Sequence, residues 1–468
     1  MSENKSGSAA IKAGIWYTVS SFMLKAIAFL TTPVFTRLLT QEEYGNYSNF
    51  LSWLSILTFI TTLNMSSTLI RARYDFEDDF KDYIFSIMIL GSVATLICYG
   101  IVLFKVDYFS ELFSMGKIYI HIMFLSLLVS SAIDIFQIVQ RIEYKYKANV
   151  FLSIGSMLAT IGVSLLLVFF LPDKLFGRVI GSQLPLFCIN VWLYIYYGSK
   201  CRRIRLEYWK YALIICLPYL PHLIAGNLLG TMDRVMIQRF CGAEYTALYS
   251  IAHQCAIIIS TLLTSMNTAF SPWLGEKLHE KKYEEIKQAS KGYIMLLIIP
   301  AIGLMLVSPE VLYILGGEAY LAAKYVMPPL TLGCVCQFLY TLYVNVEQFE
   351  KKTMGMAMAT IVAAIINGIL NYLLIPRFGY IAAAYTTLIG YVCLLGMHYM
   401  LVRRMGLAKI YDTRLVVLVI VIMTMATMVI NVLYDFCMIR YVIILVYAVF
   451  VMILGWKNRQ IIISKVMR

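Results

Sequence analysis

The chain has 468 residues, 60% of them hydrophobic and 14% charged, with a formal net charge of +13. Soluble globular domains carry about 25% charged residues, so a water-soluble architecture is excluded and a polytopic membrane protein is indicated. The apolar runs are continuous rather than alternating, which argues against a β-barrel and for α-helices, whose backbone hydrogen bonds close within each segment.

Fourteen apolar spans follow one another, near 14–36, 47–70, 83–104, 118–139, 149–171, 177–198, 211–235, 245–271, 292–315, 325–346, 354–375, 379–402, 415–434 and 440–456. Each is long enough to cross a bilayer, which takes about 20 helical residues. The start, MSENKSGSAAIKAGIW, lacks a small-residue cleavage site after a short apolar core, so the first helix is expected to be retained. Connectors are short. The longest, about twenty residues, is GEKLHEKKYEEIKQASKGY between the eighth and ninth spans.

The first span carries Lys25 near its middle. A cation at that depth costs roughly 2.5–3.5 kcal/mol on insertion scales, so it should face protein or water rather than lipid. Thr18, Ser21, Lys25, Thr32 and Thr36 recur at helical spacing, which predicts one polar stripe along an otherwise apolar helix.

Basic residues set the orientation. With the N-terminus inside, 28 Lys and Arg fall on the inner side and 10 on the outer, Lys25 completing the 39. Both termini are therefore expected in the cytoplasm. The same bias accounts for the net charge without a nucleic-acid partner: KCRRIR and the loop lysines read as anchors facing anionic lipid.

The chain also repeats itself. A shift of 202 residues lays RLLTQEEYGNYS, from Arg37, over RFCGAEYTALYS, from Arg239, and carries Phe176-Gly177 onto Phe378-Gly379. Both matches are expected at equivalent connections. Six spans per repeat is an even number, so the halves share orientation and relate by an axis along the membrane normal. The predicted fold is all-α, with two six-helix lobes, 1–205 and 206–402, and two further helices with a tail at 403–468.

Polar groups inside spans are the candidate functional residues. Under the shift Lys25 corresponds to Asn227, in LPYLPHLIAGNLLGTMDRVMI. Asp233 and Arg234 read either as cavity-lining groups or as a structural ion pair. His222 reads either as a proton-sensitive group or as a cross-helix hydrogen-bonding one. Asp134, in SSAIDIFQIVQR, is a candidate cation or proton site, or an acid satisfied by Gln137 and Arg141. Pro33, Pro218, Pro221, Pro300, Pro328 and Pro329 interrupt helices. The ten cysteines are scattered and read as buried free thiols, and no metal-ligand spacing occurs. HExxH, Walker A, GxSxG and GxGxxG are missing in any plausible setting, so neither an enzyme nor a cofactor is indicated.

PVFTRLLTQEEYGNYS, LPYLPHLIAGNLLGTMDRVMI and IPRFGYIAAAYTTLIGY, in that order and spacing, resemble the polysaccharide (lipid-linked oligosaccharide) flippases of the multidrug/oligosaccharidyl-lipid/polysaccharide exporter superfamily. The resemblance covers essentially the whole chain. It implies a bacterial inner-membrane protein that turns undecaprenyl-diphosphate-linked sugar units across the bilayer by alternating access through a cationic cavity. It implies a coupling cation, proton or sodium, and a place beside polysaccharide polymerase and chain-length machinery in making surface polysaccharide. On that pattern Lys25 matches a cavity cation that would point between the lobes and contact the diphosphate, and the central basic residues reduce to Arg234. Asn227 and His222 are the further substrate candidates, and Asp134 and Asp233 the ion-coupling ones. Two alternatives stand beside it: a cation-coupled drug or metabolite exporter of the same superfamily, whose organic cation Lys25 would repel, and a membrane polysaccharide polymerase, which should carry a large outer loop.

Overall fold

The computed structural model describes residues 2–457. The basic C-terminal tail beyond 457 and the side chains of the N-terminal tail and of Thr18 lie outside the described residues. Every regular element described is helical, and no strand occurs among them. Twelve helices are long and apolar enough to cross a membrane, and fourteen spans result if each of two bent helix pairs counts as one. Chain order follows the sequence reading because lipid leaves the backbone no partner but itself.

The chain forms two compact units, one of residues up to Ser250 with Thr360–Tyr380, the other of Ile251–Ala359 with the residues from Ile381 on. The first unit begins with α1 (Ser2–Leu38), α2 (Gln41–Thr62), α3 (Leu69–Asp75), α4 (Phe80–Phe104) and the short α5 (Val106–Phe113). It continues through α6 (Lys117–Val129), α7 (Ser131–Ile142), α8 (Tyr146–Phe170), α9 (Lys174–Gly198), α10 (Leu206–Cys216) and α11 (Leu220–Phe240). Two helices belong to both units, α12 (Ala243–His279) and α16 (Thr353–Phe378). The second unit holds α13 (Tyr283–Leu306), α14 (Ser308–Gly316), α15 (Met327–Phe349), α17 (Ile381–Arg404), α18 (Thr413–Leu433) and α19 (Cys437–Lys457).

Two spans that read as continuous are broken. After α2 the chain passes through Leu63 and Asn64 with φ of 50° and 49°, and α3 sets off at 47° beyond a single 3-10 turn. Between α10 and α11 the bend is 59°, at Leu217-Pro218-Tyr219. Pro218 has no N–H to continue the ladder, and Pro221 falls in the first turn of α11, where a missing donor costs nothing. Pro33 and Pro300, by contrast, sit inside α1 and α13.

The long connector expected between the eighth and ninth spans is not a loop. The helix α12 runs to His279 and α13 starts at Tyr283, so GEKLHEKKYEEIKQASKGY is almost entirely helical. Polar residues past the membrane extend both helices, and Lys277 ties the turn by ion pairs to Glu280 at 2.8 Å and Glu285 at 3.4 Å.

The start of α2 shows how close the packing is. Thr40 caps it with a full capping box against Glu43. One turn on, a Cβ at Gly45 would lie 1.8 Å from the Ala243 carbonyl oxygen, so only glycine lets α2 and α12 start against each other. The two breaks match as the 202-residue shift requires: α1 ends at Leu38 and α2 begins at Gln41, while α11 ends at Phe240 and α12 begins at Ala243. The Phe-Gly match is less regular. Gly379, with φ 74°, lies in the turn between α16 and α17, but Gly177 lies inside α9, where a Cβ would sit 2.8 Å from the Leu167 oxygen of α8.

In the second unit, buried Arg440 on α19 forks onto Glu310 of α14, and Lys291 of α13 pairs at 2.8 Å with Asp412, the N-cap of α18. That lysine holds the Asp412 carboxyl below the usual carboxylate range.

Candidate functional site

The candidate site is built on α11. Asn227 and Gln238, three turns apart, face α2. Asn227 Nδ2 donates to Ser55 Oγ at 2.8 Å, and Gln238 Nε2 donates to Asn46 Oδ1 at 2.8 Å. Amide-to-hydroxyl and amide-to-amide contacts of this kind hold helices together where hydrophobic contrast with lipid is lacking. Asn227 is thus a helix-pairing residue in this conformation.

Asp233 points another way. It is only 2% exposed. The Tyr249 hydroxyl donates to Oδ2 at 2.5 Å, and Asn371 Nδ2 donates to Oδ1 at 2.7 Å. Asn367, one turn before Asn371 on α16, places its Oδ1 3.2 Å from the same Nδ2. All three side chains are buried, and all belong to the first compact unit. No ion pair joins Asp233 to Arg234, because adjacent helical residues point to different faces. Arg234 Nη2 donates instead to the Gly230 carbonyl at 2.9 Å, and its buried Nε has no hydrogen-bond partner among the described residues. With neutral oxygens around one acid, the cluster suits a proton or a small hard cation. No group of three His, Cys, Asp or Glu able to hold a metal ion occurs among the described residues.

Lys25 is exposed on α1 and makes no ion pair or hydrogen bond among the described residues. Its expected polar stripe divides in two. Ser21 and Lys25 are exposed, but Thr32 and Thr36 are buried and donate to the Ala28 and Thr32 carbonyls of their own helix. Short hydroxyl side chains can satisfy themselves on the preceding turn, which removes the need for water. His222 is half-buried beside the Tyr219 ring, 5.2 Å between centroids, at the bent start of α11. Asp134 is exposed on α7. Gln137 donates to Ser153 at 3.3 Å rather than to Asp134, and the Arg141 guanidinium lies over the Tyr17 ring at 5.5 Å and acts on Asp134 through space without an ion pair.

The structure therefore joins Asp233 to residues that sequence reading missed, Tyr249, Asn367 and Asn371. Two asparagines one turn apart in the apolar stretch AIINGILNYLLIP were the available signal. A second missed pair lies in the second unit. His398 Nδ1 is 2.8 Å from Glu347 Oε1, both fully enclosed, and Glu347 Oε2 has no partner among the described residues. Glu347 reads as a loop residue from sequence; α15 continues to Phe349 and carries it inside.

A multi-span all-helical chain with buried polar clusters in its spans is a polytopic membrane protein. Residues 10–278 match the family described as polysaccharide biosynthesis protein, and residues 218–373 match the family MatE. The chain belongs to the polysaccharide biosynthesis protein family, the polysaccharide-flippase branch of the multidrug/oligosaccharidyl-lipid/polysaccharide exporter superfamily. It is 21% identical over 371 residues to the Lsg locus putative protein 1 of Haemophilus influenzae, covering 76% of this chain and 88% of that one. It is 25% identical over 183 residues to the probable low-salt glycan biosynthesis flippase Agl15 of Haloferax volcanii, covering 38% and 39%. Among solved structures, it shares the fold of the lipid II flippase MurJ in an inward closed conformation, with TM-score 0.73, 16% identity, and 96% and 100% of the two chains covered. An inward-facing multidrug resistance MATE family transporter matches at TM-score 0.56 and 15% identity, covering 82% and 98%.

Proposed function

We propose that this protein is a flippase that moves undecaprenyl-diphosphate-linked oligosaccharide across the bacterial inner membrane by alternating access of lobes 1–205 and 206–402, for surface polysaccharide synthesis. Membership of the polysaccharide biosynthesis family over residues 10–278 carries this reading. Two site features support it. Lys25 is an exposed, unpaired cation on a membrane helix, suited to hold a diphosphate that must later be released, since lysine is a point charge without the bidentate grip of arginine. Asp233 is a buried acid that accepts from Tyr249 and Asn371 within a span, a setting suited to bind and release a coupling proton or sodium ion. We place coupling at Asp233 rather than at exposed Asp134. Arg234, Asn227 and His222 line the same helix and would adjust as Asp233 changes charge.

The test is transport by purified protein in liposomes. Inward or outward movement of a fluorescent undecaprenyl-diphosphate oligosaccharide, driven by an imposed proton or sodium gradient, is the expected result. The MatE match over residues 218–373 favours a second reading, cation-coupled export of a drug or metabolite. Gradient-driven ethidium efflux with no movement of the lipid-linked glycan would establish that reading instead.

A further inference from the structure

Within the first unit, away from Asp233, α1, α7, α8 and α9 line an open-mouthed cavity of about 500 Å³. Small-ligand sites occupy roughly 300–1,000 Å³. Nine of its twelve lining side chains can hydrogen-bond, one of them is a cation and none is an acid. Lipid tails have no use for such a lining, and an organic cation would find no counter-charge.

The cation is Arg141. It forms no ion pair and no hydrogen bond among the described residues, and its guanidinium lies over the Tyr17 ring, 5.5 Å from the centroid. An arginine held only by such a cation–π contact keeps its fork of donors free for a phosphate. The Tyr17 hydroxyl is itself shielded from solvent and has no partner among the described residues, an arrangement that a ligand hydroxyl would satisfy.

On α8, Ser153, Ser156 and Thr160 present a row of hydroxyls to the cavity. Ser156 and Thr160 donate to the carbonyls of Ser153 and Met157, which leaves their lone pairs as acceptors. Asn149, 3% exposed, and Gln137 add amides that can both donate and accept. Mixed donors and acceptors at fixed spacing, with one aromatic ring, are the chemistry that reads a sugar. Asp134 stands on the Arg141 face of α7, seven residues earlier and outside the lining.

We infer that this cavity is a binding site for a glycosyl phosphate, with Arg141 on the phosphate and the α8 hydroxyls and Tyr17 on the sugar. That the glycosyl phosphate is the head of a lipid-linked cargo rests on the flippase reading; the chemistry of the site does not.

The experiment is equilibrium binding of radiolabelled glucose 1-phosphate to the full-length protein in phosphatidylglycerol nanodiscs. Saturable binding is expected, weakened about tenfold or more by Arg141→Gln, as loss of a charge-assisted contact implies. Ser153→Leu, which fills the cavity from another helix, should weaken it too. Unaltered binding in both cavity variants, with normal amounts of protein in the membrane, overturns the site. So does displacement by inorganic phosphate as effective as by glucose 1-phosphate, which would leave an anion site blind to sugar. Transport in liposomes separates the two readings. Binding without glycan movement rejects the flippase reading and keeps the site; glycan movement unaffected by Arg141→Gln, where that variant has lost binding, rejects the cargo assignment and keeps the flippase reading.

Discussion

Lys25 and Asp233 are the two ionisable residues on which the proposed transport cycle turns, and their surroundings are opposite. Lys25 is exposed and unpaired, so its removal should cost function and not folding. Lys25→Ala should lower glycan export about tenfold or more, the worth of one charge-assisted contact, at unchanged membrane abundance. Lys25→Arg should retain part of the export. Normal export by Lys25→Ala would remove the anchoring role, and loss of the protein itself would assign the lysine to structure. Asp233 is enclosed, with Tyr249 and Asn371 donating to its two oxygens. Asp233→Asn keeps the shape and removes the titrating group, so it should abolish the dependence of transport on the ion gradient while the protein still inserts. Asp134→Asn, at an exposed position, should leave that dependence intact. The reverse outcome would move the coupling site to α7.

At the scale of elements, the breaks decide more than the spans do. The helix α11 can carry Asn227, Asp233 and Gln238 to three different partners because the 59° bend at Pro218 frees its direction from that of α10. The capped, glycine-opened start of α2 then fixes where α2 meets α12. Gly45→Ala places a methyl against the Ala243 carbonyl, a contact of 1.8 Å that the two helices must part to relieve. Overpacking of this kind costs about 1–3 kcal/mol. The variant should therefore melt lower in detergent and reach the membrane in smaller amounts. An unchanged melting midpoint would mean that α2 and α12 can separate there freely.

For the whole molecule the expectation that matters is topology. From helix order and the 28-to-10 excess of basic residues on one side, we expect the turn at Lys281 in the cytoplasm and that at Lys174 outside. Reporter fusions at those two turns and at the C-terminus should read inside, outside and inside. A C-terminal tag accessible from outside would mean that one of the two bent pairs is a re-entrant segment rather than a span. The protein would then have an odd number of crossings.

Hydropathy, basic-residue bias and motif order by themselves determined that the chain is helical and membrane-spanning, how its spans follow one another and which family it belongs to. Lipid enforces that legibility, because each span must satisfy its backbone alone, so its length and apolarity are written locally. Lys25, Asn227 and Asp233 were visible for the same reason, as costly residues in apolar runs. Partners were not visible. Asp233 meets Tyr249 across 16 residues and Asn371 across 138, and His398 meets Glu347 across 51. In water, polar and apolar faces announce which side of a helix is buried. In a bilayer, the lipid-facing and protein-facing sides are both apolar, so periodicity carries little of that information. That is why the stripe expected to be wet along α1 turned out half-buried. Only the packing of helices against one another decided these, since it alone sets which polar side chains meet.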